Sequence, residues 1–307
     1  MTRARASMIP LLSSLPLGAL RGHLAMLLFS ALVAGSFSFG VMAAPHIAPA
    51  AMNAARFAIA AVIVGAAAMA TGGIERSAFR APWRYAVLGA IFGSYFVLMF
   101  EGLKTAPAVS ASAVFTLTPL MAAGFGFVLL RQRLTRRIAL ALMIGAAGAV
   151  WVIFRGDLGA LMRLEVGRGE AVYFAGCAAH ALYTPLVRLL NRGERPVVFT
   201  FGTLVAGAIL IALYGRSAIA QTDWAALPAI VWVTLAYIAV IASAATFTLL
   251  QYAALHLPSS KVMAYTYLTP SWVIALEAAL GHGVPPVIVL LGVAMTVAAL
   301  MLLLKEE

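Results

Sequence analysis

Most charged residues in this chain fall in short segments between ten long apolar runs. Each run is close to the length, roughly 20 residues, that carries a helix across a hydrocarbon core. Proline, glycine and basic clusters punctuate the ends. The pattern predicts helices over 23–44, 50–71, 82–103, 108–130, 136–154, 170–190, 196–214, 227–254, 259–281 and 285–304. Ahead of them, Arg3 and Arg5 precede an apolar stretch over 8–20 that resembles a signal peptide. Pro10 and Pro16 interrupt it, Arg21 follows it and no small-x-small site is evident, so residues 1–21 read as a cytoplasmic or interfacial tail.

The ninth run is the most unusual. Residues 264–280, AYTYLTPSWVIALEAAL, carry Tyr265, Thr266, Tyr267, Thr269, Ser271 and Glu277, with Pro270 in the middle. Proline there removes a backbone donor and frees the carbonyl of Thr266, which favours a bend. The fourth run repeats the device at Thr118-Pro119. An offset of 151 residues lays Pro107 on Pro258, Ala113 on Ala264, Thr118-Pro119 on Thr269-Pro270 and Leu129 on Leu280. Pro49 and Ala61 match Pro196 and Ala208 at an offset of 147. The chain is thus predicted to be an all-α membrane protein of two five-helix repeats, 22–154 and 170–304, joined by a loop over 155–169 and ending in a short tail over 305–307. Five is odd, so two such halves insert in opposite orientations, the inverted-repeat plan of many secondary transporters.

Charge sets the expected orientation. With the N-terminus inside, the inner segments hold fifteen Lys and Arg residues and the outer segments five. That excess predicts cytoplasmic termini and a location in the cell (inner) membrane. The composition, 64% hydrophobic and 10% charged, excludes an ordinary soluble domain. The net charge of +11 does not indicate nucleic acid, because no groove-reading motif accompanies it. Cys177 is the single cysteine, so an intrachain disulfide and a thiolate metal cluster are excluded.

Polar groups inside apolar helices are candidate functional residues, because the membrane tolerates them only with partners, water or substrate. Arg56 lies within the second run and needs a carboxylate, a carbonyl cluster, water or an anionic solute. Glu277 could bind a substrate amine or carry a proton, or instead reach the outer headgroups or pair structurally, with Arg56 as one partner. Glu101 and Lys104 read as an interfacial i,i+3 pair. His180 could titrate and couple protons to transport, or simply pack. Asn53 and Gln251 could contact substrate or bond between helices. Tyr95, Phe96, Tyr183, Tyr237, Tyr265, Tyr267 and Trp272 could line an amphipathic pocket, or fill interfaces and helix contacts. The Thr118-Pro119 and Thr269-Pro270 steps are candidate hinges. Gly89 with Gly93, and Gly145 with Gly148, allow close helix approach.

The chain resembles the drug/metabolite transporter superfamily, in its ten-helix branch with two EamA-type domains. The blocks that carry the resemblance are APAVSASAVFTLTPLMAA (106–123), LPSSKVMAYTYLTPSWVIALEAALGHGVPP (257–286), NAARFAIAA (53–61) and HALYTPLVRLL (180–190). Together they span a resemblance over about 22–304. The chain departs from the family where Gly-Glu often follows helices 4 and 9; Arg131-Gln132 and Gly281-His282 stand there. The resemblance implies a central cavity among helices 1–4 and 6–9, with helices 5 and 10 at the periphery. It also implies a secondary transporter, weighted towards export of amino acids or related metabolites, with a small-molecule substrate and a lipid bilayer as partners. Proton coupling and a homodimer are compatible with it; no cofactor or metal is expected. The alternatives are a transporter of cationic drugs or lipids, and a non-transporting scaffold or sensor. No GxxxxGK[ST] motif supports ATP-driven pumping. Asp157 and Asp223 fall in loops and no HExxH pair occurs, which argues against an intramembrane enzyme.

Overall fold

Prolines set where the helices begin. In the computed structural model, which describes residues 17–132, 134–246, 249–250, 252–253, 257 and 259–304, α1 covers Leu17–Ala43, α2 Pro49–Ala70 and α3 Trp83–Gly102. Broken helix α4 comprises Ala108–Phe115 and Thr118–Leu130, and α5 covers Arg136–Ile153. In the second half α6 is Arg168–Leu190, α7 is Pro196–Tyr214, and α8 is Ala229–Ala236 followed by a π-helix, Tyr237–Ala245. Helix α9 is built of Ser259–Ala264, a 3₁₀ turn Tyr265–Leu268, and Thr269–Ala279; α10 is Val287–Leu304. Pro49 and Pro196 open α2 and α7 from inside the first turn, where a missing N–H costs nothing. No strand occurs among the described residues.

Among the described residues seven helices, the broken α4 included, are long and apolar enough to cross a membrane. The remaining three depart for readable reasons. Helix α6 carries Arg168, Glu170 and Arg188, while α8 and α9 change helix type partway. The first helix starts earlier than expected: after Pro16 no breaker intervenes, so 17–21 are helical rather than tail, and Arg21 is exposed. Gln251, Pro258 and the terminal segments 1–16 and 305–307 lie outside the described residues.

Exchange of α1–α5 with α6–α10 maps most of the packing onto itself. Helix α3 packs on α6 as α8 does on α1; α3 on α7 as α8 on α2; α4 on α6 as α9 on α1; and α4 on α5 as α9 on α10. The pairs α2–α7, α4–α9 and α5–α10 are their own images. Because each half has five spans, the second runs opposite to the first, so the repeats are inverted. Small residues permit the closest crossings. A Cβ on Gly148 would lie 2.5 Å from the Gly292 carbonyl oxygen, and one on Gly89 would lie 2.5 Å from the Gly207 nitrogen. The α5–α10 pair stands at the periphery and turns Leu140, Met143, Ile288 and Leu291 outward.

Both Thr-Pro steps break their helices. In α4 the amides of Thr116 and Leu117 bond three residues back, to Ala113 and Val114, so the turn tightens just before Thr118. In α9 the break is the 3₁₀ turn ending at Leu268, just before Thr269. The carbonyl freed by Pro270 is thus absorbed by a change of helix type, as a proline in a membrane helix requires.

Candidate functional site

Helix α2 is apolar except for Asn53 and Arg56, one turn apart on one side and both buried. Arg56 is 1% exposed. Its Nε and Nη2 donate to the Ser243 hydroxyl at 3.2 and 3.1 Å, and Nη2 donates to the Ala242 carbonyl at 3.3 Å. Its guanidinium lies over the Phe96 ring, 3.6 Å from the centroid, a cation–π contact strengthened by exclusion of water. Nη1 has no partner. Among the described residues no carboxylate pairs with Arg56.

The π-helix explains why Ser243 is there. The wider turn lets the Ser243 hydroxyl donate to the carbonyl of Ile238, five residues back, at 2.8 Å, while its lone pairs accept from Arg56. Single π turns recur at functional sites because they re-aim one side chain without breaking the helix. Beside Arg56, Asn53 donates to the carbonyls of Pro49 at 2.9 Å and Phe96 at 3.2 Å, leaving Oδ1 without a partner. The site thus offers one unused donor and one unused acceptor on adjacent turns of α2.

Aromatic rings enclose this polar pair. Phe92 stacks on Tyr183 at 4.6 Å and meets Phe96 edge-on at 4.8 Å. Tyr95 lies 4.6 Å from the His180 ring, and its hydroxyl is 3.2 Å from that of Tyr173. Phe115 of α4 approaches His180 at 5.8 Å, and Phe37 of α1 approaches Phe115 at 5.9 Å. His180 Nδ1 is buried without a partner. The walls therefore come from α1, α2, α3, α4, α6 and α8.

The fold gathers six of the candidates: Asn53, Arg56, Tyr95, Phe96, His180 and Tyr183. It places the other described candidates elsewhere. Tyr237 bonds the Leu32 carbonyl at 2.7 Å and packs on Gly35. Tyr265 and Trp272, seven residues apart, bond His23 and Ser30, also seven apart, at 2.8 and 3.0 Å; their shared face seats α9 on α1. Tyr267 packs on Gly145 of α5. The expected Arg56–Glu277 pair does not form. Glu277 accepts from His282 at 3.0 Å, because the chain turns back at Gly281 beyond the end of α9. Glu101 and Lys104 do pair, at 2.6 Å.

Five contributors, Phe37, Phe92, Phe115, Tyr173 and Ser243, escaped the sequence reading. Tyr173 lies seven residues before His180 and so shares its face, a signal available from helical spacing. Phe37, Phe92 and Phe115 carry no mark that separates them from lipid-facing phenylalanines. Ser243 becomes visible only once α8 adopts its π register.

The EamA-like transporter family matches residues 20–154 and again 167–305. The chain is 25% identical over 262 residues to the "Uncharacterized transporter YyaM" of Bacillus subtilis (strain 168), covering 84% of this chain and 86% of that protein. A crystal structure described only as "Crystal structure of protein" superposes with a TM-score of 0.66 at 22% identity, over 94% of this chain and 97% of that one, and so shares the fold. One family match in each half, on the ten-helix architecture above, means that this chain belongs to the EamA-like transporter family, within the drug/metabolite transporter superfamily, and is a membrane transporter of that type.

Proposed function

We propose that the chain is a secondary exporter of small organic metabolites, amino acids or related amphipathic compounds, working by alternating access between its two halves, 22–154 and 170–304. Arg56 receives the anionic group of the solute. The observation that carries this reading is the buried guanidinium with Nη1 free and no carboxylate partner among the described residues. Such a group is costly to keep dry, and an incoming carboxylate supplies the missing charge and acceptors. Asn53 Oδ1, one turn away, can accept from an ammonium or hydroxyl on the same solute. The aromatic walls suit an apolar body. His180 is the group in the site able to exchange a proton as the solute passes. The broken steps at Thr118-Pro119 and Thr269-Pro270 serve as the bends about which α4 and α9 move. A guanidinium at the centre disfavours cationic drugs. The excess of basic residues on one side supports cytoplasmic termini in the inner membrane.

The test is counterflow. Proteoliposomes are loaded with unlabelled amino acids and exposed to one labelled amino acid at a time, for the wild type and for Arg56→Gln. Accumulation in the wild type and its loss in a folded Arg56→Gln protein support the reading. Accumulation of a cationic solute, or transport that persists unchanged without Arg56, overturns the assignment of the site.

A further inference from the structure

The two ends of the bundle differ although the repeats are related by exchange. The loop between α2 and α3 and the loop between α6 and α7 meet at one end. Their repeat images, the 215–228 segment between α7 and α8 and the 44–48 segment between α1 and α2, meet at the other. At the first end two arginines tie the halves together. Arg84 of α3 donates to the Leu190 carbonyl at 2.6 Å and to the Glu194 carboxylate, with side chains only 2% and 8% exposed. In return, Arg195 donates to the carbonyls of Thr71, at 2.6 Å, and Gly73. Gly72 and Gly73, at φ of +129° and +77°, turn the end of α2 so that Arg195 reaches these carbonyls. An apolar layer including Tyr85, Leu88, Phe199 and Tyr183 lies between this clasp and the aromatic site.

At the opposite end no such tie exists. Among the described residues no hydrogen bond or ion pair crosses between 44–48 and 215–228. A surface groove of about 600 Å³ runs between them, lined by His46, Ile47, Gln221, Thr222 and Asp223 among others, above an apolar contact that includes Ile47, Ile219, Trp224 and Leu227. Inverted repeats that exchange roles would make the clasped end the groove and the grooved end the clasp.

We infer that the Arg84–Glu194 pair and Arg195 form the gate that seals the 71–84 end of the transport pathway, and that the 44–48 end, which no polar tie holds, is the end that opens more readily in this conformation. The inference rests on the alternating-access reading. The clasp joins the two halves by side chains alone, so it can release without unfolding either. Its buried charges leave the pathway-closed end only if another conformation offers them water.

Paired spin labels test this in a Cys177→Ala background, in the full-length protein in proteoliposomes. One pair, Ser77→Cys with Arg188→Cys, reads the clasped end; the other, His46→Cys with Gln221→Cys, reads the groove. Glu194→Gln is expected to add a longer-distance population at the clasped end and a shorter one at the groove. Arg195→Gln, which leaves the ion pair intact, is the second variant should Glu194→Gln not fold, and is expected to shift both in the same directions. Unchanged distances at the clasped end overturn the gate. So does lengthening at both ends together, which marks general loosening. Wild-type protein that shows no counterflow would instead refute the transport reading beneath it.

Discussion

Replacing Arg56 with glutamine separates a binding residue from a structural one. The loss to stability is worked from the contacts. The guanidinium makes hydrogen bonds to Ser243 and Ala242, of which those to Ser243 share one acceptor, and one cation–π contact to Phe96. Hydrogen bonds to charged groups contribute about 1.5–3 kcal/mol each, and a desolvated cation–π contact about 2 kcal/mol. Against them stands the several kcal/mol that a buried ion lacking a counter-charge costs. The terms are of similar size, so Arg56→Gln is expected to change stability little. Binding has no such compensation. Truncating one member of a buried charge pair costs about 2–5 kcal/mol. That corresponds to a rise in substrate KM from roughly 30-fold to several thousand-fold, at about 1.4 kcal/mol per tenfold. Counterflow gives the KM, and a thiol-reactive fluorophore gives the stability, because Cys177 is buried and reports unfolding as the single cysteine. A KM within a few-fold of wild type refutes the placement of substrate at Arg56. A collapse of the thermal midpoint refutes the claim that its charge is uncompensated in the empty protein.

Ser243→Ala removes the acceptor that orients Arg56 and is expected to raise KM about tenfold, the equivalent of one net hydrogen bond, in the same counterflow assay. The pH response of the clasp follows from Glu194. Burial pushes its carboxyl up, but the Arg84 hydrogen bond, the Arg192 amide and the Arg84 charge outweigh that and bring it down to about 2. Its contribution is therefore fully present above the ordinary carboxylate value of 4.5 and lost as pH falls through about 2. With Arg84, Arg192 and Tyr85 as the groups around it, the stability difference between wild type and Glu194→Gln, from circular-dichroism melts, should be constant from neutral pH down to 4.5 and shrink from there to about 2. A difference that vanishes between pH 6 and 7 would place another group in the clasp. Gly89→Ala would set a Cβ against the Gly207 and Thr203 backbone at 2.5 and 2.9 Å and is expected to destabilise by about 1–3 kcal/mol, whereas Gly124→Ala, with open space around it, should fall within about 0.5 kcal/mol of wild type. Thermal midpoints from the Cys177 assay distinguish the two.

The linear order of residues determined the helices, the duplication and the two broken steps. Apolar length, proline position and the Thr-Pro repeat are properties of contiguous segments, and a segment in a bilayer must satisfy its backbone by itself. It also singled out Arg56, because an ionised group in an apolar run is costly wherever the run is placed. What surrounds Arg56 depended on how the helices pack. Glu277 was the natural partner by chemistry, yet the turn at Gly281 gives it to His282, and the π turn of α8 gives Arg56 to Ser243 instead. Seven-residue spacing correctly put Tyr265 and Trp272 on one face; only packing decided that the face meets α1 and not the aromatic site. The difference between the two ends of the bundle is likewise tertiary. By sequence Arg84 opens an ordinary helix and Glu194 and Arg195 lie in an ordinary basic loop; they become a buried clasp because segments 110 residues apart are brought together.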